Sequence, residues 1–174
     1  MSTRRLTLST IDGIPLVKPG DDVTSLLLDG LKTSGDRLED GDILVIAQKI
    51  FSKAQDRYVS IADVSPSPEA ERLAVEVDKD PRIVELILSE SSEVVRHRPG
   101  VLIVAHKLGF VMANAGIDAS NVAEGGEEDE RVLLLPIDPD GDCARVREEI
   151  KTRAGVDVAV IMNDSVGQIG RAHV

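Results

Sequence analysis

Apolar positions along this chain fall into short blocks whose spacing changes from two to roughly three and a half, so strands and short helices alternate. Residues 5–11, Arg-Leu-Thr-Leu-Ser-Thr-Ile, alternate polar with apolar and predict a half-buried strand. A loop with two prolines and two glycines follows from Asp12 to Gly20, and Asp21 or Asp22 is placed to cap a helix over about 23–32. The run Ile43-Leu44-Val45-Ile46 predicts a core strand that continues toward Phe51, and residues 57–61 read as its return. Ser67-Pro68 and Asp80-Pro81 each open a helix, the proline standing where a missing N–H does no harm. Leu73, Ala74 and Val77 line one face of the first; Val84, Ile87 and Leu88 line one face of the second. The polar stretch 90–93 closes this helical region. Pro99-Gly100 then turns into a strand over 101–105, and Leu108-Gly109 turns into a partner strand ending at Met112. The acidic, apolar-free stretch 124–130 predicts a solvated loop, 131–135 a strand, 143–153 a helix capped by Asp142, and 156–162 a last strand. The pattern predicts short strands and short helices along the whole chain. No internal repeat or low-complexity tract is present.

The 174 residues, 42% of them hydrophobic, are enough for one domain or two small subdomains with a real core. None of the apolar runs approaches the roughly 18 residues of a membrane span, and the basic start Arg4-Arg5 has no long apolar stretch behind it, so neither a membrane segment nor a signal peptide is expected. The single cysteine, Cys143, excludes an internal disulfide framework and fits a reducing cytoplasm. A net charge of −11 with 2% aromatic residues argues against nucleic acid as a partner, which would require clustered cations and stacking platforms. The same acid excess supplies carboxylates for divalent metals.

The stretch 113–121, Ala-Asn-Ala-Gly-Ile-Asp-Ala-Ser-Asn, carries the most chemistry. It sets one carboxylate, Asp118, among small residues and amides directly after an apolar strand, where a ligand has room to approach the backbone. The residues alone leave open an Asx turn that merely caps the loop. Asn163-Asp164-Ser165 places a second acid at a strand exit. The segment 136–142 alternates acids as a calcium loop does, but its two prolines and missing spaced glutamate argue against one. His97 and His106 have no partner at ligand spacing, and Cys143 lacks the rest of a nucleophile's apparatus.

The ordered set Gly13-Ile14-Pro15-Leu16, residues 46–54, Asp80-Pro81-Arg82, residues 113–121, residues 134–140 and Asn163-Asp164-Ser165 resembles the coenzyme F420 γ-glutamyl ligases, over about residues 6–167. The resemblance implies an α+β, γ-glutamyl-ligase-like fold of mixed sheets and short helices, assembled as an intertwined homodimer. It implies an enzyme that uses GTP to join L-glutamate to the phospholactyl carboxylate of a deazaflavin precursor through an acyl phosphate, and then adds a γ-linked glutamate. It also implies Mg2+ or Mn2+ at the phosphates and an assisting monovalent cation, K+. Carried over by position, Asp118, Asp164 and Ser165 match metal ligands, while Ile14, Pro15, Leu16, Val17, Gln48, Lys49, Lys53 and Asn121 match nucleotide contacts. The alternatives are another metal-dependent phosphoryl-transfer or amide ligase on the same scaffold, and a non-catalytic, dimerising, nucleotide-binding fragment. After Ser165 the chain departs from the family pattern, and residues 169–174, Ile-Gly-Arg-Ala-His-Val, read as the translation of a common sequencing-adapter stretch. The expected organisation is thus the N-terminal part of a ligase domain over 1–168, a non-native tail over 169–174, and a C-terminal part of the domain missing.

Overall fold

The computed structural model describes residues 6–118 and 131–164. It is an α+β fold of small sheets and short helices in the order α1 (Val23–Ser34), β1 (Ile43–Ala47), α2 (Gln48–Ala54), β2 (Tyr58–Ser60), α3 (Pro68–Val77), α4 (Pro81–Ser89), β3 (Ser91–Arg98), β4 (Val101–His106), β5 (Val111–Ala113), β6 (Arg131–Leu133), α5 (Pro139–Ala154) and β7 (Ala159–Asn163). Strands β1 and β7 pair in parallel, β2 pairs antiparallel with β6, and β3-β4-β5 form an antiparallel sheet.

Helix starts follow side-chain chemistry. Asp22, Ser67 and Asp80 each accept a hydrogen bond from a backbone N–H of the first turn, at Ser25, Ala70 and Arg82, and so satisfy donors that the helix itself leaves unpaired. Among the described residues two apolar cores result. In one, Leu73, Ala74 and Val77 of α3 and Val84 and Ile87 of α4 close over Leu102 and Val104 of β4. In the other, Leu27 of α1, Phe51 of α2 and Val146 and Ile150 of α5 cover Leu44 and Ile46 of β1. Each fully buried aliphatic side chain stabilises the fold by about 1.5–3 kcal/mol relative to exposure. Ile61, Leu86 and Val132 form a smaller bridge of apolar contacts around β2, α4 and β6.

Several sequence expectations are corrected here. Residues 6–11 form no strand: Leu6 and Leu8 are 84% and 87% exposed, and alternation without a neighbouring strand to pair with builds nothing. Instead Ile11 and Ile14 lie on α1 at Gly30, where a Cβ would stand 2.6 Å from Ile14 Cδ1 and 2.7 Å from Ile11 Cγ2, so only glycine admits this close approach. The strand from Ile43 stops at Ala47, and 48–54 turn helical because Gln48, Phe51 and Ser52 bury one helical face. The polar residues 91–98, read as the close of the helical region and the chain beyond it, form the eight-residue edge strand β3. Helix α5 starts at Pro139 under the cap Asp138, which accepts from Gly141 N–H at 3.0 Å; Asp142 is not the cap but lies inside the first turn. The last two strands are shorter than predicted, 131–133 and 159–163. The predicted loop 124–130 lies outside the described residues, as does the tail 169–174. Among the described residues no helix is long and apolar enough to cross a membrane.

Candidate functional site

Asp118 is delivered by a left-handed turn. After β5, Asn114, Ala115 and Gly116 take φ of 51°, 52° and 67° in succession, a conformation that L-residues rarely adopt. Burial of the Ala115 methyl in the α3–α4–β4 core holds that backbone in place. Two residues on, the Asp118 backbone exchanges two hydrogen bonds with Leu133, N–H to O at 3.0 Å and O from N–H at 2.9 Å. Leu133 is therefore flanked by Tyr58 on one side and Asp118 on the other. The carboxylate, 18% exposed, makes an ion pair with the Lys49 ammonium. Beside it in sequence, the Asn114 side-chain carbonyl oxygen is buried without a hydrogen-bond partner among the described residues.

Lys49 reaches Asp118 because of how β1 ends. Ala47, the last residue of β1, pairs with Asn163, the last of β7, so the parallel pair delivers Gln48-Lys49 and Asp164 to the same edge. The carboxyl ends of parallel strands are where open α/β sheets gather ligands. Asp164 is exposed there. Gln48 turns inward, 4% exposed, and its Oε1 accepts from Ser52 Oγ at 3.2 Å. Lys53 lies four residues after Lys49 on the same face of α2, half-buried and without an ion pair among the described residues. The segment 14–17 joins the same region from the other side. Val17 is buried, Leu16 is exposed, and Gly20 N–H donates to Ala54 O at 2.8 Å, which ties the loop after Val17 to the end of α2 beside Lys53. Asn121 and Ser165 lie outside the described residues.

The structure thus brings Lys49 onto Asp118, sets Asp164 at the neighbouring strand end, and ties the 14–17 loop to the Lys53 end of α2. Among the described residues no three His, Cys, Asp or Glu side chains cluster as a metal cage. One or two carboxylates suit a cation that takes its remaining ligands from phosphate oxygens and water, as Mg2+ does.

Other polar groups escaped sequence reasoning and hold the frame. Arg57 donates from Nε to Leu135 O and from Nη2 to Glu90 Oε2, both at 2.8 Å. His106, expected in a hairpin turn, instead ends β4 and is 4% exposed; its Nδ1 accepts from Leu108 N–H at 3.0 Å and its Nε2 faces Glu90 at 3.7 Å. Burial pushes the imidazole below the usual histidine range although Glu90 pulls the other way. His97 also has an acidic neighbour, Glu76 at 3.5 Å. Gln55 bridges two elements, donating to Asp142 Oδ2 at 2.5 Å and accepting from Ile137 N–H at 3.2 Å. Burial raises the Cys143 thiol above its ordinary range, the reverse of what an activated nucleophile requires. No spacing in the sequence signals the Arg57–Glu90–His106 cluster, because its members are far apart along the chain.

Residues 13–174 match the family model described as F420-0:Gamma-glutamyl ligase. Among similar proteins, one from Methanothermobacter thermautotrophicus is 41% identical over 163 residues, covering 94% of this chain and 63% of the relative. One from Methanopyrus kandleri is 40% identical over 161 residues, 91% of this chain and 60% of the relative. One from Archaeoglobus fulgidus is 39% identical over 170 residues, 98% and 64% respectively. Each is named Coenzyme F420:L-glutamate ligase. The chain spans about three fifths of the length of these relatives.

Proposed function

The chain belongs to the F420-0:gamma-glutamyl ligase family, and from that membership we propose that it supplies the nucleotide- and cation-binding part of a GTP-dependent ligase, which joins L-glutamate to the phospholactyl carboxylate of a deazaflavin precursor and then adds a γ-linked glutamate. The observation that carries the reading is the convergence of Lys49 on Asp118 at the carboxyl ends of the β1–β7 pair, with Lys53 one turn along the same helix face.

A carboxylate is a poor acylating agent. In the proposed reaction a carboxylate oxygen of the precursor attacks the γ-phosphorus of GTP, the bond to GDP breaks, and an acyl phosphate forms. The glutamate amine then attacks the acyl carbon, loses a proton, and expels inorganic phosphate to leave an amide. Negative charge crowds the site in the first step, and positioning with electrostatic stabilisation supplies most of the catalysis in phosphoryl transfer. Lys53, a compact charge on a flexible stem, suits a phosphate oxygen. Lys49, one turn earlier on the same helix face, takes the same part. Segment 14–17 and Gln48 hold the nucleoside end. Asp118 and Asp164 are the divalent-cation ligands, and the bound Mg2+ or Mn2+ would supply Lewis-acid stabilisation of the phosphate oxygens. Asn121, Ser165, an accessory K+ and a homodimer belong to the same proposal and rest on the resemblance alone.

The test is incubation of the protein with GTP, Mn2+, L-glutamate and the glutamate-free deazaflavin precursor, followed by mass spectrometry. A product heavier by one glutamyl residue, with GDP formed in step, is expected. Absence of both product and Mn2+-dependent GTP binding would overturn the proposal. Binding without product would favour a nucleotide-binding fragment.

A further inference from the structure

The ion pair at Asp118 has a consequence for how a cation enters. Lys49 stands on the carboxylate that is read as the divalent-cation ligand, and that carboxylate is 18% exposed, so little water screens the two charges. An ammonium and a divalent cation in contact with the same carboxylate repel each other at close range. One must leave for the other to bind. Lys49 is the movable partner: its side chain is 40% exposed on a four-carbon stem, whereas Asp118 is fixed by two backbone hydrogen bonds to Leu133. The released ammonium remains on the helix face it shares with Lys53, beside the acceptor that the proposed function places there, a phosphate oxygen.

We propose that Lys49 is an exchange residue, seated on Asp118 until a divalent cation takes the carboxylate and then transferred to the nucleotide phosphate. The inference rests on the reading of Asp118 as a cation ligand. Lys49 then weakens cation binding in the absence of nucleotide and couples it to nucleotide binding, because the phosphate gives the displaced ammonium a partner. The alternative, a purely structural ion pair, gives Lys49 a part in stability and none in cation affinity.

The test is titration of the nucleotide-free protein with Mn2+, free Mn2+ being followed by electron paramagnetic resonance, for the native chain, Lys49→Met, Lys49→Arg and Asp118→Asn. Lys49→Met keeps the aliphatic stem and removes the competing charge, and it is expected to bind Mn2+ about fivefold tighter or more, the lower end of typical coupling. Lys49→Arg, whose fork pairs with a carboxylate more firmly, is expected to bind more weakly than the native chain. Asp118→Asn is expected to lose the site. Native-like Mn2+ affinity in Lys49→Met alongside loss in Asp118→Asn would overturn the exchange while leaving Asp118 a ligand. Unchanged binding in Asp118→Asn would overturn the underlying reading itself. Circular dichroism checks that each variant folds, and if Lys49→Met does not, Lys49→Arg decides alone: affinity equal to or above the native value overturns the exchange.

Discussion

Gly116→Ala perturbs the turn that aims Asp118, and its cost can be worked from the structure. The residue sits at φ 67°, where an L-residue loses about 1–2 kcal/mol. The added methyl would stand 2.9 Å from Met112 Cε, 3.0 Å from Leu135 Cδ1 and 3.1 Å from Leu135 Cγ, so both side chains must shift within a packed region. Overpacking of that kind adds about 1 kcal/mol, the low end of its range because the Met112 methyl is the flexible end of its chain. The sum is about 2–3 kcal/mol, or a fall of roughly 5–10 °C in Tm for a chain of this size. Gly35→Ala is the matched control. Gly35 has φ 69° at the end of α1, and a methyl added there would meet nothing within 4 Å, so it carries the backbone cost alone. Urea and thermal denaturation of the two variants separate the terms. Mn2+ affinity of Gly116→Ala should fall as well, since Asp118 lies two residues downstream. The reasoning fails if Gly116→Ala is no less stable than Gly35→Ala, or if it is destabilised with Mn2+ binding untouched.

Two further predictions concern charge. The Ser25 N–H bond, then Arg153, hold the Asp22 carboxyl down at about 2 against an ordinary 3.8. A lowered folded-state value means stabilisation present above about 3.8 and lost as pH falls toward about 2. Asp22→Ala should therefore cost about 1 kcal/mol at pH 6, with a gap to the native chain that closes near pH 2; a pH-independent gap in urea titrations contradicts this. His106 is held neutral by burial, with the proton on Nε2 because Nδ1 accepts from Leu108 N–H. Its contribution to stability is complete above the unfolded-state value of 6.5 and lost as pH falls through the lower folded one. Long-range 1H–15N spectra should show the Nε2–H tautomer at pH 6.5, and a titration midpoint above 6.5 would refute it.

Helices α1, α3 and α4 were legible in the sequence because Asp22, Ser67 and Asp80 are capping residues and Pro68 and Pro81 stand at a position that tolerates them. The same rule, applied to Pro139, would have placed the cap at Asp138 rather than Asp142. The hairpin β4–β5 was legible from its apolar runs and the turn between them. Strand β3 was not. Its residues Ser91–Arg98 are mostly polar and exposed, and what makes them a strand is the hydrogen-bond ladder offered by β4, a tertiary fact. Residues 48–54 failed for the opposite reason: Ile50 and Phe51 prolong an apolar run that is ambiguous between strand and helix until the buried face at Gln48, Phe51 and Ser52 is known. At the site, Asp118 and Asp164 were each visible as acids at strand exits. Their relation was not, because it passes through Lys49 and the Ala47–Asn163 pairing, neither of which leaves a trace in local spacing.

The central claim is that Asp118 is the seat of a divalent cation beside the lysines of α2. It is tested most directly by crystals of the protein grown with Mn2+ and a non-hydrolysable GTP analogue, with anomalous diffraction locating the metal. The account predicts a manganese peak at bonding distance, about 2 Å, from an Asp118 carboxylate oxygen. The Lys49 ammonium would be off that carboxylate and the analogue's phosphates would lie against Lys53. Manganese bound elsewhere, with Lys49 still paired to Asp118, would contradict it.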